Sequence, residues 1–407
     1  MPSMMQLFHG FSMVVVALAV AVGAVPAQAQ ITKYRIVDLG TFGSPGSETY
    51  STAHGINERG DVTGAAHDDD FVTRAFLYRD GTLIDVGAFT PDYHRASGQA
   101  VNAQGQVAGR SIGWSPYWKF PTWVQRPLLG TAGVAPYDPG QDVGIDGEAF
   151  GINDLGQMAI TLTLVPEYQT VSRAHVWDPQ TGLHEIVFPS QPAGEAADST
   201  AWAINQPGQV AGAFVGPDLA PHAYIWDPQT NEVVDLHGTH ASESAVYALN
   251  DHGDAAGWWI EDGQSDSTAV VWAEDGRVVS IPAAEHPALT TGTAEEINNL
   301  GDVVGWYADP QETVAPRAWV AFNLLRSREY SQEPIALNEL LSEADQAEWE
   351  LWYAHGINDA RQIVGYGLHN GLIRGFLMTP RRDSSIDVPS GIDNIEEMEQ
   401  GIADRMP

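Results

Sequence analysis

Three residues that could act as acid, base or metal ligand, His54, Glu295 and His355, occupy the same position in a phrase that the chain repeats. The phrase runs apolar residue, Asn, two variable positions, Gly, one variable position, then a small apolar stretch. It occurs seven times, with its asparagines at Asn57, Asn102, Asn153, Asn205, Asn250, Asn298 and Asn358. Its glycines are Gly60, Gly105, Gly156, Gly208, Gly253 and Gly301, and Ala360 is the one departure. Three residues before each Asn stand His54, Gln99, Phe150, Trp202, Tyr247, Glu295 and His355, a far more varied set than its neighbours. Two imidazoles and a carboxylate on consecutive units could hold a divalent metal or serve as acid and base. The aromatic members of the set read as packing, and the polar ones are equally consistent with satisfied groups between units.

A second candidate is an aromatic insertion in the second unit, from Gly113 to Trp123. Exposed aromatics stack on sugar rings or anchor a protein partner, which makes Trp114, Tyr117, Trp118 and Trp123 candidate ligand-binding residues. A loop folding its own aromatics into a satellite core would leave the same pattern. Trp258, Trp259, Trp306, Tyr307 and Tyr366, which follow the second strand's glycine in later units, read as core between units. His67-Asp68-Asp69-Asp70 lacks the spaced oxygen ligands of a calcium loop and reads as solvated. Gly109-Arg110-Ser111-Ile112-Gly113 matches the G-x-S-x-G of hydrolases, but that motif needs a strand turning into a helix, and here it ends a strand. No phosphate-cradling loop, zincin motif or basic nucleic-acid stripe occurs.

The repeat is what must position these residues. Asn suits the first position of a type I turn and Gly three residues on can adopt a left-handed conformation, so each phrase is a tight β-hairpin. A second strand follows (Val62-Thr63-Gly64, Val303-Val304-Gly305), then a variable loop and a third strand such as Arg74 to Tyr78. Asp80-Gly81 and Asp275-Gly276 turn into a fourth strand, as at Leu83 to Val86. Four short antiparallel strands recurring every 45 to 60 residues is the content of a propeller blade. The positions two and four before Asn are small in most units, for example Ala53 and Gly55, and strict alternation sets them opposite a bulkier face that nests on the next blade. The chain opens on an unpartnered fourth strand, Tyr34 to Gly40, and the last unit stops after its third, Gly375 to Met378. The expectation is an all-β, seven-bladed β-propeller of four-stranded antiparallel blades, closed by an N-terminal strand that completes the last blade. Residues 338–352 read as a short helix capped by Asn338.

These units resemble the extracellular HAF-repeat family, named for the His-Ala-Phe that opens its third strand. Arg74-Ala75-Phe76, Arg173-Ala174-His175, His222-Ala223-Tyr224, Arg317-Ala318-Trp319 and Arg374-Gly375-Phe376 keep that triplet in part, and Asp38-Leu39-Gly40 closes a unit as in the family. The resemblance spans roughly residues 34–380. It implies secretion and a repeat fold, and it supplies no catalytic residues to carry over. The shift from His to Arg in most copies speaks against that position being a metal ligand here.

Residues 1–29 read as a signal peptide, with an apolar run from Phe11 to Val25 and an Ala27-Gln28-Ala29 cleavage site. Residues 30–380 form the repeat domain and 381–407 an acidic tail. The formal net charge of -34, from 53 Asp plus Glu against 19 Lys plus Arg, repels nucleic acid and anionic lipid. With no cysteine there are no disulfides or thiolate sites. The resulting expectation is a secreted protein, extracellular or periplasmic, monomeric and not membrane-inserted once the signal is cleaved. It is a non-enzymatic repeat protein without cofactor or metal, presenting a propeller surface to an extracellular carbohydrate or protein. The alternative is an extracellular polysaccharide hydrolase or lyase that uses His54, Glu295 and His355.

Overall fold

A computed structural model describes residues 34–89, 93–115, 122–140, 146–164, 171–188, 198–282, 288–325 and 334–381. The expected signal peptide, residues 1–29, and all but the first residue of the acidic tail lie outside the described residues. Among the described residues, twenty-eight strands form seven four-stranded antiparallel sheets. The first blade is typical: β2 (Ser51–Ile56), β3 (Val62–His67), β4 (Thr73–Arg79) and β5 (Thr82–Asp85) lie side by side in chain order. The seventh combines β26 (Trp349–Ile357), β27 (Ile363–His369) and β28 (Leu372–Pro380) with β1 (Tyr34–Asp38) from the other end of the chain. β1 pairs with β28 from Tyr34↔Pro380 to Asp38↔Phe376 and buries Tyr34 in a cluster with Phe376 and Met378. The protein is a seven-bladed β-propeller latched by its N-terminal strand. Among the described residues no helix is long and apolar enough to cross a membrane.

The innermost strands are β2, β6 (Tyr93–Val101), β10 (Asp146–Ile152), β14 (Ser199–Ile204), β18 (Ala241–Leu249), β22 (Thr291–Ile297) and β26, each in contact with the next around the ring. At the end of each lies the repeated Asn, and the structure shows why all seven copies keep it. Its Oδ1 accepts from the backbone N–H four residues on, which closes the turn. Its Nδ2 donates to the side chain at that same position. The same Nδ2 also donates to the backbone carbonyl of the next blade's Asn, at 2.8 to 3.1 Å, through all seven blades and from Asn358 back to Asn57. The position after Gly, read above as variable, holds only Asp or Gln because it must accept that Nδ2 proton. The left-handed position of the seventh turn is Arg361, not Ala360: its φ is 58°, and its guanidinium reaches back to buried Asp302 of blade 6 at 2.9 Å.

The innermost strands depart from strict alternation. In every one the pairing register skips the residue three before Asn, a one-residue bulge between Ala53 and Gly55, Gly98 and Ala100, Ala149 and Gly151, Ala201 and Ala203, Val246 and Ala248, Ala294 and Glu296, and Ala354 and Gly356. A bulge leaves its extra residue unpaired and redirects its side chain. The small residues four before Asn are buried between blades, as Ala53, Ala149 and Ala201 show, whereas those two before Asn, such as Gly55, Gly151 and Ala203, border the axial cavity.

The helix expected over residues 338–352 is shorter. Leu337–Leu340 form a 3-10 turn and Glu343–Glu348 one α-helical segment, capped by Ser342 rather than Asn338. Asn338 instead holds the edge of β26, donating to Trp349 O and accepting from Leu351 N, so pairing with β27 overrides helical spacing from Trp349 onward.

Candidate functional site

The seven bulge residues converge on the propeller axis, where they line a cavity of about 660 Å³, within the roughly 300–1,000 Å³ of small-molecule sites. The cavity is divided. Blades three to five contribute Phe150, Trp202 and Tyr247, and the Trp202 and Tyr247 rings meet edge to face at 5.0 Å. Blades six, seven, one and two contribute Glu295, Glu296, His355, His54, Gln99 and Arg110, with Tyr366 stacked on His355 as the one phenol among them.

His54, Glu295 and His355 are brought together as the repeat register requires. His355 Nδ1 lies 3.2 Å from Glu295 Oε2, and the rings of His54 and His355 meet edge-on at 5.8 Å. Glu295 Oε1 also accepts from Thr293 Oγ1 at 2.6 Å and Trp306 Nε1 at 2.8 Å. Burial pushes the Glu295 carboxyl up, but these bonds and the His355 contact outweigh it and hold the group below its ordinary value. Burial, then the neighbouring His355, brings the His54 imidazole down to about 4, so it is neutral at pH 7. His54 Nδ1 sits 2.7 Å from Gly98 O, a group that only accepts; Nδ1 therefore carries the proton and Nε2 keeps its lone pair. Glu296 moves the other way: burial, followed by the charges of Glu295 and Glu58, pushes it up to about 8. On the far side Arg110 Nη1 and Gln99 Nε2 clamp buried Glu148 at 2.8 and 2.5 Å, which fixes both as donors at the wall. The polar half thus holds an ionised carboxylate, a protonated one, a neutral imidazole and a guanidinium, and it can donate and accept hydrogen bonds at neutral pH.

Glu296 and Arg110 are absent from the sequence candidates, although the repeat marks both. Glu296 stands where the other six units have Gly or Ala, and Arg110 follows the second-strand glycine where units five to seven have Trp258, Trp306 and Tyr366. Tyr366 also lines the cavity and Trp306 bonds Glu295, so two of the aromatics read as core belong to the site; Tyr307 is core as expected, 6% exposed.

The second candidate lies at the hairpin of β7 (Gln106–Ser115) and β8 (Thr122–Thr131). Trp114 and Trp123 are cross-strand partners, 44% and 49% exposed, with rings edge to face at 5.4 Å. Arg95 lies over the Trp123 ring at 5.5 Å. Tyr117 and Trp118 lie outside the described residues. In the first blade's acidic loop, Asp68 pairs with Arg74 and Asp69 bonds Ser44, so those carboxylates are satisfied by protein partners. Ser111 of the G-x-S-x-G match is fully buried within β7 and bonds Arg95 O and Phe89 N, so it is no nucleophile.

No protein-family model matches the sequence, and no curated protein does. Among solved structures, the chain is similar to TolB from Acinetobacter baumannii (10% identity, TM-score 0.36, 63% of this chain and 60% of that one). It is also similar to an Aleuria aurantia lectin mutant in complex with Fucalpha1-6GlcNAc (12% identity, TM-score 0.39, 73% and 96%). A puromycin hydrolase gives 13% identity and a TM-score of 0.46, over 84% of this chain and 52% of that one. The chain thus spans little more than half the length of the TolB and hydrolase chains. None of these scores reaches 0.5, and the fold assignment stands on strand pairing and the asparagine ring.

Proposed function

We propose that this protein is a non-enzymatic binding propeller, acting outside the cytoplasm, that takes a carbohydrate in its central chamber. The observation that carries the reading is the division of the chamber, with Phe150, Trp202 and Tyr247 facing Glu295, Glu296, His54, His355 and Arg110. A sugar ring has the same two-sided chemistry: its C–H faces stack on aromatic rings, and its hydroxyls both donate and accept. The leader-like residues 1–29 and the resemblance to HAF repeats support the extracytoplasmic setting. Trp114 and Trp123 supply a separate outer platform for a longer glycan or a protein partner.

A glycan array followed by calorimetry tests this. Trp202→Ala and Glu295→Gln are each expected to weaken binding about ten-fold or more, a loss of about 1.4 kcal/mol. Absence of any glycan ligand, or binding indifferent to both changes, would sink the chamber reading. One observation favours the hydrolase or lyase alternative: an ionised Glu295 beside a Glu296 held near 8 resembles the division of labour between a glycosidase's carboxylates. New reducing ends from a polysaccharide, abolished by Glu296→Gln, would replace binding with catalysis.

A further inference from the structure

In four blades an arginine on the third strand pairs with an acidic residue at or just past the end of the fourth. The pairs are Arg74–Asp85 at 3.5 Å, Arg126–Asp138 at 2.8 Å, Arg173–Glu185 at 3.4 Å and, across the closure, Arg374–Asp38 at 3.6 Å. Where the acid is Asp it also accepts from the backbone N–H two residues on, and that residue is Gly40, Gly87 or Gly140. Blade four keeps the acid, Asp235, and the same backbone bond. It replaces the arginine with His222 and the glycine with His237.

The two replacements meet. Both imidazoles are buried and stack 3.8 Å apart, parallel to within 1°. His222 Nδ1 lies 2.8 Å from Asp235 Oδ2, and its Nε2 lies 3.0 Å from Asp218 Oδ1 on the turn that precedes its strand. A neutral imidazole has one donor and one acceptor nitrogen, while a carboxylate only accepts. A neutral imidazole therefore cannot donate to both carboxylates, and a metal ion between Nε2 and Asp218 would satisfy the second contact. One donor atom from each of Asp218, His222 and His237 lies within 4.8 Å of the other two. Asp235 stands where an outer carboxylate orients a ligating histidine through its second nitrogen. Ser244 Oγ, 2.8 Å from His237 Nδ1, supports the other ring. The backbone makes room as well: a Cβ on Gly216 would come within 2.5 Å of the His222 ring.

We propose that Asp218, His222 and His237 form a binding site for a divalent transition metal of the zinc class, with Asp235 as the orienting carboxylate. Imidazole nitrogens with a carboxylate suit zinc far better than calcium or magnesium. Ligands about 2 Å from a tetrahedral zinc stand about 3.4 Å apart. Imidazole lone pairs lie in the ring plane, so the two stacked rings must tilt apart to face one ion, and Asp218, with its side chain 55% exposed on a surface turn, is free to follow them. Three protein ligands leave a fourth position for water or for an anionic group of a bound molecule.

The test is titration of the chelator-treated, full-length protein with Zn²⁺ by calorimetry and with Co²⁺ by visible absorption. One ion per chain is expected, with the intense d–d bands of tetrahedral Co²⁺. His222→Arg and His237→Gly install the residues other blades use at these positions, so the fold is retained, and each should weaken binding by at least about ten-fold. Asp235→Asn should weaken it by about 10- to 100-fold. Wild-type protein that binds neither ion, or His222→Arg and His237→Gly variants that bind like wild type, would overturn the proposal.

Discussion

Two positions of the same inner strands, three residues apart, have opposite histories across the seven copies. The Asn at the strand end is the same in every blade, is buried, and makes the same three kinds of bond, one of them to the next blade. The bulge residue before it differs in almost every blade and points into a shared chamber. A repeat can vary a side chain freely only where no neighbouring copy depends on it. The bulge provides such a place, since it removes one residue per blade from the pairing register. Identity among copies therefore marks the scaffold, and difference among copies marks the site.

Breaking one member of each class within a single strand is the sharpest test, and carries the largest expected effect. Asn205 donates to Gln209 Oε1 at 2.8 Å and Asn250 O at 3.0 Å, and accepts from Gln209 N at 2.8 Å. Asn205→Ala deletes these and strands a buried carbonyl, so urea denaturation should show a loss of about 2–3 kcal/mol. Trp202→Ala, three residues earlier, already borders an open chamber and forfeits chiefly its edge-on contact with Tyr247, worth about 0.5–1.5 kcal/mol. A Trp202→Ala variant less stable than Asn205→Ala would mean that the bulge ring is core.

Most of the scaffold was legible because it repeats. The seven asparagine turns, six of them Asn-x-x-Gly, the four strands per unit and the complementary ends at Tyr34 and Met378 each follow from local patterning, and the structure pairs them as that patterning requires. The bulge was not legible, because a one-residue register slip leaves the sequence unchanged while altering which face each residue occupies. Without it, Gly55 and Ala53 look equivalent, and Glu296 looks like an isolated irregularity. The Asp-or-Gln rule after the turn Gly stayed hidden for another reason: its cause is a side-chain bond inside the turn, from Asn Nδ2 to an acceptor four residues on, which backbone patterning does not reveal.

The chamber should also titrate. Glu296, raised from 4.5 to about 8, favours the folded state fully below pH 4.5, and that contribution is lost as pH rises through 8. His54, lowered from 6.5 to about 4, contributes above pH 6.5, and that contribution is lost as pH falls through 4. Glu296→Gln should flatten the alkaline side of the stability profile and His54→Gln the acid side. Asn205→Ala, which touches neither group, should lower the whole profile without changing its shape. An alkaline limb that survives in Glu296→Gln would mean that Glu296 is solvated and ionised, and would remove the protonated donor from the polar wall.

The smallest effect separates the chamber from the outer aromatic pair. Trp114 and Trp123 are each nearly half exposed, so little buried area depends on them; they meet edge-on, and Trp123 also contacts the His94 ring and the Arg95 guanidinium. An aromatic pair of this kind is worth about 0.5–1.5 kcal/mol and an exposed cation–π contact about 0.5–1 kcal/mol. A double-mutant cycle of Trp114→Ala and Trp123→Ala should thus give a coupling of about 1 kcal/mol in stability. Affinity for a ligand short enough to fit the chamber should be unchanged, while affinity for a longer glycan or a protein partner should fall. A cycle with no coupling would mean that the two rings do not rest on each other in solution, and the hairpin would then offer two separate side chains in place of a platform.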